Sequence, residues 1–317
     1  MGVLFNSQSP MWGLLAFLLA GLLFLTLEMA PFLGFLVGGF TLTPLALILM
    51  ERGRYFFHIG NLVLAGLLFV GWGGGICLFY LLGFALPAFL LGELIQRGKG
   101  VGYTVMVSTF IPLLAGGGIV AALAIGQGGD LSEMSRQHIQ DSLSRMMDLY
   151  QTSGMDPERL RELRDAQGGL AQFLLALSPS LMVISSLFVV LSNYLLIRSW
   201  NIKKGNQILP EEHLSHWYLP DHTVWGVIGA GFLLLVPYTL SRIVGGNLLL
   251  VFSILYFFQG MALVVHFFQR KGLSVWVQAA AFLLLIFWPI LLLIVFLGLA
   301  DVWVDFRRIR GSPSGSV

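Results

Sequence analysis

Long apolar runs alternate with short polar interruptions along the chain, and one longer polar stretch follows the fifth run. Most runs approach or exceed the roughly 20 residues that cross a bilayer core as a helix. They are rich in Leu, Phe and Ala and show no strand-like alternation, so they predict helices and not a barrel. We place spans near residues 11–28, 30–50, 57–73, 75–95, 101–126, 170–197, 223–241, 247–268 and 274–300.

The basic residues predict how these spans are oriented. With the N-terminus in the cytoplasm, most Arg and Lys residues of the short loops fall on the cytoplasmic side, as the positive-inside rule requires. Nine crossings would place the tail arginines outside: Arg307, Arg308 and Arg310. Because Pro289 splits the last run, we expect its first part to lie at the interface or to form a half-helix. The chain is therefore predicted to be an all-α polytopic protein of the bacterial cytoplasmic membrane, with about eight transmembrane helices.

The N-terminal residues contain no Lys or Arg, and no small-residue cleavage site follows them. A cleavable signal peptide needs a positively charged start. We therefore expect the first run to be a retained span.

The polar stretch predicts a pair of amphipathic helices outside the membrane. Its apolar residues recur at helical spacing: Ile139, Leu143, Met146, Met147 and Tyr150. Asp156 and Pro157 form a typical start for the second helix. The chain thus has three predicted parts: an N-terminal bundle of five runs (1–127), the helical insert (128–169) and a C-terminal bundle with a basic tail (170–317). Packing, covering a cavity, lying on lipid and binding a partner all stay open as roles for the insert.

Composition excludes a water-soluble protein and several kinds of chemistry. Charged residues make up only 11% of the 317 residues, whereas soluble domains carry about 25%. Cys77 is the only cysteine, so neither a disulfide nor a thiolate metal cluster forms within one chain. The sequence contains no hydrolase, metalloprotease or Walker A motif, and we expect no enzyme activity, cofactor or metal. The His- and carboxylate-rich loop 211–222 matches no zinc signature, and no basic-aromatic surface indicates nucleic-acid binding.

Five polar residues in or next to the apolar runs are candidate ligand-binding residues. Gln259 and His266 lie seven residues apart on one helix face, and Asn247 lies about a third of a turn from Gln259. Asn193 comes late in the sixth run, and Glu28 closes the first. Polar side chains in a span usually face the bundle interior and mark a site, but they also form hydrogen bonds between helices. Both interpretations stay open for these residues.

Four segments carry a family resemblance: GFALPAFLLGELIQRGKG (83–100), LSNYLLIRSW (191–200), NLLLVFSILYFFQGMALVVHFFQRKG (247–272) and LGLADVWVDFRRI (297–309). Together with the polar insert, they resemble the YybS-like family of predicted bacterial membrane proteins (domain of unknown function 2232). In that pattern the following look like family features: Asn193, Asn247, Gln259, Gly260, Asp301, Asp305, Phe306 and Arg307. The resemblance implies a membrane protein but no chemistry. The part up to about residue 126 is distantly similar to S components of energy-coupling-factor transporters and to MreD-type membrane proteins.

The sequence supports two hypotheses about function. The first is a membrane-embedded subunit that binds or transports a small molecule, in which Asn193, Asn247 and Gln259 line a cavity and the insert covers its outer mouth. Any coupling to ATP then requires a separate ATPase. The alternative is a non-transporting scaffold that binds other membrane or cell-envelope proteins through the insert and the basic loops. A binding subunit should keep these amides on a pocket, whereas a scaffold should bond them to neighbouring helices.

Overall fold

The computed structural model describes residues 10–30, 34, 37–126, 131–203, 217–284 and 287–307. Over these ranges the regular elements are helices, with no strand, which confirms the predicted all-α fold. They are α1 (Pro10–Met29), α2 (Leu42–Trp72), α3 (Gly74–Tyr80), α4 (Leu86–Gln96), α5 (Val101–Gly126), α6 (Leu131–Thr152), α7 (Pro157–Lys203), α8 (Thr223–Leu235), α9 (Thr239–Arg270), α10 (Val275–Leu283) and α11 (Trp288–Val304). A 3-10 turn (Gly38–Thr41) precedes α2, and a π-helical turn (Leu81–Ala85) joins α3 to α4.

Several helical stretches are suited to crossing a bilayer. In the described part of the chain, six are long and apolar enough: Met11–Met29, Gly38–Trp72, Gly74–Gln96, Val101–Leu123, Glu158–Ile202 and Thr239–Arg270. The pair α10 and α11 raises this number to seven if it is counted as one broken span, and α8 is a shorter apolar helix. The last run is thus divided close to Pro289, which lies in the first turn of α11. The protein is a multi-pass membrane protein, and the count of eight spans stays a prediction.

Two breaks in the first runs reverse the direction of the chain. After α1 the chain folds back on itself, since a Cβ on Gly34 would lie only 2.5 Å from the Cα of Leu27. Gly73 separates α2 from α3 with φ at 88°, a conformation that favours glycine. The hydroxyl of Tyr80 then donates a hydrogen bond to the side-chain oxygen of Asn61. α2 and α3 therefore lie side by side as a hairpin.

Within α2 the backbone of Gly53 leaves the helical conformation, with φ at 84° and ψ at 175°. Only glycine adopts these angles without strain. α2 therefore consists of two helices joined at a kink, which agrees with the two separate runs predicted on either side of residue 53.

The polar insert folds into two helices as predicted, and the second continues into the membrane. α6 buries Leu143, and Gly154 makes the turn with φ at 77°. The carboxylate of Asp156 accepts a hydrogen bond from the N–H of Glu158 (3.0 Å), as expected for a helix start. α7 is one helix of 47 residues, which is about 70 Å long at 1.5 Å per residue. Since a hydrocarbon core is about 30 Å thick, the first part of α7 extends beyond it.

We call α6 and the extramembrane part of α7, residues 131–169, the arm. Its two helices run in opposite directions: Arg164 donates to the side-chain oxygen of Gln151 (3.0 Å), and Gln167 donates to the hydroxyl of Ser144 (3.2 Å). Near the start of α6, Arg136 donates to Glu133, and this guanidinium lowers the pKa of the Glu133 carboxyl. The arm is thus held together by its own side chains.

The chain forms two compact units. The first contains Met1–Leu131 and Ser185–Glu211, and the second contains Ser132–Ile184 and Glu212–Val317. α7 contributes its first part to the second unit and its last part to the first. Asn193 therefore belongs to the first unit, and both Asn247 and Gln259 belong to the second.

The core of the first unit contains a cluster of aromatic rings. Phe24 of α1 is fully buried and packs edge-on against Tyr80 and Phe84, with ring centroids 5.2 and 5.3 Å away. A glycine sets the approach of α1 to α2, because a Cβ on Gly60 would lie 2.1 Å from the ring of Phe17. Small residues thus allow these helices to pack closely where lipid provides no hydrophobic drive between them.

Candidate functional site

The second unit is built around α9, which packs against both α8 and α11. Two glycines form the crossing of α9 with α11. A Cβ on Gly260 would lie 2.1 Å from the carbonyl oxygen of Ile294, and one on Gly298 would lie 2.0 Å from the carbonyl oxygen of Tyr256. The two backbones are therefore in direct contact, which brings the end of α11 close to the middle of α9.

Beside this crossing lie the side chains of Gln259, Asp301 and Arg307, which we call the buried polar cluster. Gln259 is fully buried, and the side chains of Asp301 and Arg307 are 3% and 1% exposed. Nη2 of Arg307 donates to Oδ2 of Asp301 at 2.6 Å, and the amide of Gln259 donates to the same oxygen at 3.4 Å. Oδ1 of Asp301 accepts from the backbone N–H of Phe306 at 3.0 Å. These bonds offset the desolvation cost of the buried ion pair.

The buried polar cluster bonds the backbone of a non-helical segment, residues 217–220. Oε1 of Gln259 accepts from the N–H of Leu219 (3.0 Å), and Nη1 of Arg307 donates to the carbonyl of Trp217 (2.8 Å). Gln259 lies eleven residues before the end of α9, about 16 Å along the helix. Leu219 is buried, and buried backbone that has no helical ladder needs such partners. The cluster therefore supplies hydrogen bonds that this segment cannot make within itself.

Asn247 has a comparable role beside Pro179, which lies inside α7. Its side-chain oxygen accepts from the N–H of Ser180 (2.9 Å), and its amide donates to the carbonyls of Ala176 (2.6 Å) and Ile243 (2.8 Å). Proline removes a backbone donor and bends a helix. The Asn247 side chain thus joins α9 to α7 next to this proline.

Asn193 is used in the same way in the first unit. It is fully buried, and its amide donates to the carbonyls of Gly39 (2.8 Å) and Val189 (2.7 Å). Its oxygen accepts from the hydroxyl of Thr43 (2.6 Å). Gly39 belongs to the 3-10 turn, so Asn193 joins the end of α7 to the point where the chain enters α2.

The remaining candidates lie elsewhere. His266 is half-buried on α9, seven residues after Gln259, and its ring meets the edge of Phe267 with centroids 6.0 Å apart. Glu28 is exposed near the end of α1 and belongs to the other unit from Gln259. Of the five candidates, Glu28 and Asn193 thus belong to the first unit, and Asn247, Gln259 and His266 belong to the second. Of the acidic and His residues of the loop 211–222, Glu211, Glu212, His213 and His216 lie outside the described residues, whereas Asp221 and His222 are exposed just before α8.

Sequence reasoning did not select Asp301 and Arg307 as site residues. One signal was present, since Asp301 is the only acidic residue between positions 273 and 304. The pairing itself depends on Asp305, which ends α11 in the left-handed conformation (φ 45°, ψ 57°) and turns the chain back. No local pattern predicts that Arg307 then reaches Asp301.

A second buried carboxylate, Glu93 of α4, was also missed. Its oxygens accept from Nε and Nη2 of Arg54 at 2.5 and 2.7 Å and from Nη2 of Arg97 at 3.1 Å. Arg54 lies on α2, so the ion pair joins two helices of the first unit. In the sequence, Arg54 and Arg97 were counted only among the loop residues that indicate the orientation of the spans.

Comparison with known proteins places the chain in a family. A family model described as "Predicted membrane protein (DUF2232)" matches residues 17–302. The chain belongs to this family. The matched part includes Gln259 and Asp301 of the buried polar cluster, whereas Arg307 lies after it. Membership in this family of predicted membrane proteins confirms the YybS-like resemblance, and the similarity to S components and MreD-type proteins stays a prediction. No curated protein and no solved structure gives a significant match.

Proposed function

We propose that the chain is a non-transporting scaffold of the bacterial cytoplasmic membrane that binds another membrane or cell-envelope protein. The observation that carries this proposal is that the side-chain amides of Asn193 and Asn247 each make three hydrogen bonds within the protein. An amide has two N–H donors, and in both residues the NH₂ group donates to two backbone carbonyls while the oxygen accepts a third bond. These amides are therefore occupied in joining helices, and a ligand would have to displace those bonds.

The arm supports the same proposal as a surface for a partner. The second helix of the arm continues along α7 into a stretch that is apolar enough to cross a membrane. Among its charged residues the arm exposes apolar side chains near the turn: Leu149 is 66% exposed and Leu163 is 37% exposed. We infer that these side chains belong to the contact with the partner, where they would be removed from water. Neither the arm nor the amides require turnover of a substrate, and we propose that the chain is not an enzyme.

Photo-crosslinking in the native host tests this function. A photoreactive amino acid at Leu149 is expected to give one discrete protein adduct. The same amino acid at Leu67 of α2, which is 64% exposed on a span-length helix, serves as a control that faces lipid. Equal labelling patterns from the two positions, or no protein adduct from Leu149, would count against the scaffold.

A small-molecule binding or transport subunit is the second candidate, and one observation favours it. The hydroxyls of Ser108 and Thr109 on α5 are buried, and in the described part of the chain neither has a hydrogen-bond partner. Pro112 has no N–H to donate to the carbonyl of Ser108. A buried polar atom without a partner costs free energy, and a polar molecule that reached these hydroxyls would remove that cost. Transport driven by ATP would additionally require a separate ATPase.

Native mass spectrometry of the detergent-purified chain separates the two candidates. A binding subunit should retain a small molecule of defined mass, and the double variant Ser108→Ala/Thr109→Val should lose it. For the scaffold we expect no such molecule, and Gln259→Leu should leave the mass spectrum of bound species unchanged.

A further inference from the structure

Glu93 positions two arginines at one end of the first unit. The carboxylate side chain is 7% exposed, whereas the side chains of Arg54 and Arg97 are 62% and 61% exposed. Arg54 binds both carboxylate oxygens and Arg97 binds one. Glu93 is therefore a buried anchor that holds two guanidinium groups together at the protein surface.

These guanidinium groups retain both charge and donors. Two positive charges share one carboxylate, and Lys99, exposed in the following turn, adds another. Among the described residues, Nη1 of Arg54 and both Nε and Nη1 of Arg97 make no hydrogen bond to protein. Guanidinium forks with unused N–H groups match the geometry of phosphate oxygens. The surface is thus suited to a phosphate group.

Exposed tyrosines indicate that this surface lies at the level of lipid headgroups. Tyr55 follows Arg54 directly and is 81% exposed, and Tyr103 lies one turn after Lys99 and is 58% exposed. Tyrosine is enriched at the membrane–water interface. Further along α2, the exposed side chain of Leu62 offers apolar surface. A phosphate bound by the arginines can therefore belong to a molecule whose acyl chains lie along α2.

We propose that Arg54 and Arg97, positioned by Glu93, bind the phosphate of an anionic phospholipid headgroup. Phosphatidylglycerol carries a net negative charge that the arginines neutralise. Phosphatidylcholine presents a compensating positive charge in the same headgroup, so it binds more weakly. This site goes beyond the scaffold function and does not depend on it.

Native mass spectrometry of the full chain in detergent, titrated with phosphatidylglycerol, tests the site. We expect one tight lipid adduct that neither phosphatidylcholine nor inorganic phosphate reproduces. The triple variant Arg54→Gln/Glu93→Gln/Arg97→Gln removes the guanidinium groups and their anchor together, so no buried charge is left unpaired. Its affinity for phosphatidylglycerol should fall roughly thirtyfold, since each basic residue at a membrane surface contributes about fivefold. Arg159→Gln on the arm is the matched control and should bind as the wild type does.

Three results would overturn the site. The first is wild-type affinity for phosphatidylglycerol in a triple variant with unchanged helicity. The second is equal binding of phosphatidylcholine, and the third is displacement of the lipid by inorganic phosphate, which would indicate a soluble anion. If the triple variant does not fold, the single variant Arg97→Gln tests the site instead. This variant keeps the ion pair of Arg54 and Glu93, so Glu93 retains a partner. Its affinity should fall about fivefold, and an unchanged affinity would reject the proposal.

Discussion

The side-chain oxygen of Asn247 accepts a hydrogen bond from the backbone N–H of Ser180 at 2.9 Å, directly after the proline of α7. The amide of the same residue donates to the carbonyl of Ala176 at 2.6 Å. In an uninterrupted α-helix those two backbone groups would bond each other. A polar side chain inside one apolar helix thus bonds the backbone of another helix next to a proline, and the buried polar cluster bonds a non-helical segment in the same manner.

Replacing Asn247 by Leu should destabilise the chain. The variant loses two hydrogen bonds from α9 to backbone groups of α7, and each is worth about 0.5–1 kcal/mol in a membrane protein. We expect the free energy of unfolding in detergent to fall by about 1–2 kcal/mol, measured by thermal or SDS-induced unfolding. Gln269→Leu, an exposed amide on the same helix, should have little effect. Equal stability of the two variants would be inconsistent with the role of Asn247.

Because Asp301 and Arg307 form a buried ion pair, removing one charge should destabilise the chain more than removing both. Asp301→Asn leaves the buried Arg307 without its counter-charge, which typically costs about 3–5 kcal/mol. The double variant Asp301→Asn/Arg307→Met removes both charges and should recover more than about 1 kcal/mol of that loss. A double-mutant cycle on unfolding free energies measures the coupling. Additive losses would show that the two side chains do not interact.

The crossing of α9 and α11 should not tolerate a methyl group. Gly260→Ala and Gly298→Ala each place a Cβ within about 2.1 Å of a backbone carbonyl oxygen, and overpacking typically costs about 1–3 kcal/mol. Gly246→Ala, on the same helix as Gly260, meets nothing within 4 Å and should be neutral or slightly stabilising. Melting temperatures of the three variants check this order. Similar temperatures for all three would mean that the helices are further apart.

The substitution Asn193→Asp should destabilise the chain more than Thr43→Val does. Asn193→Asp turns the donating nitrogen into an oxygen that faces the carbonyls of Gly39 and Val189, and leaving buried groups unsatisfied costs about 1–3 kcal/mol each. Thr43→Val removes a single hydrogen bond, worth about 1 kcal/mol. SDS-induced unfolding of both variants tests the difference. A smaller loss for Asn193→Asp than for Thr43→Val would contradict the hydrogen-bond assignment.

The helices and the arm could be predicted because apolar length and amphipathic spacing are local properties. The ends of helices that are set by packing against other helices could not be predicted. The sequence placed a loop near Gly245, whereas the chain breaks at Pro237 and Gly245 lies inside α9. A Cβ on Gly245 would lie 2.9 Å from the carbonyl oxygen of Ala230. This glycine allows close packing of α8 and α9 and does not make a turn.

The end of the insert shows the same limit. The insert was predicted to end at residue 169 and the sixth span to begin at residue 170, yet α7 continues through Gly168 and Gly169. Two glycines cost about 1 kcal/mol each in a helix, which the helical residues on either side outweigh. For the site, the sequence identified Asn193, Asn247 and Gln259 as unusual. Their partners are backbone atoms and residues distant in sequence, which no spacing pattern indicates.

The central claim is that amide side chains within the apolar helices bond backbone groups next to a proline, in a 3-10 turn and in a non-helical segment. Amide hydrogen exchange of Leu219, compared between the wild type and Gln259→Leu in detergent, tests it most directly. The account predicts a protected Leu219 N–H in the wild type and exchange faster by at least about tenfold in the variant, with residues 248–252 of α9 unchanged. Equal protection of Leu219 in both proteins would contradict it.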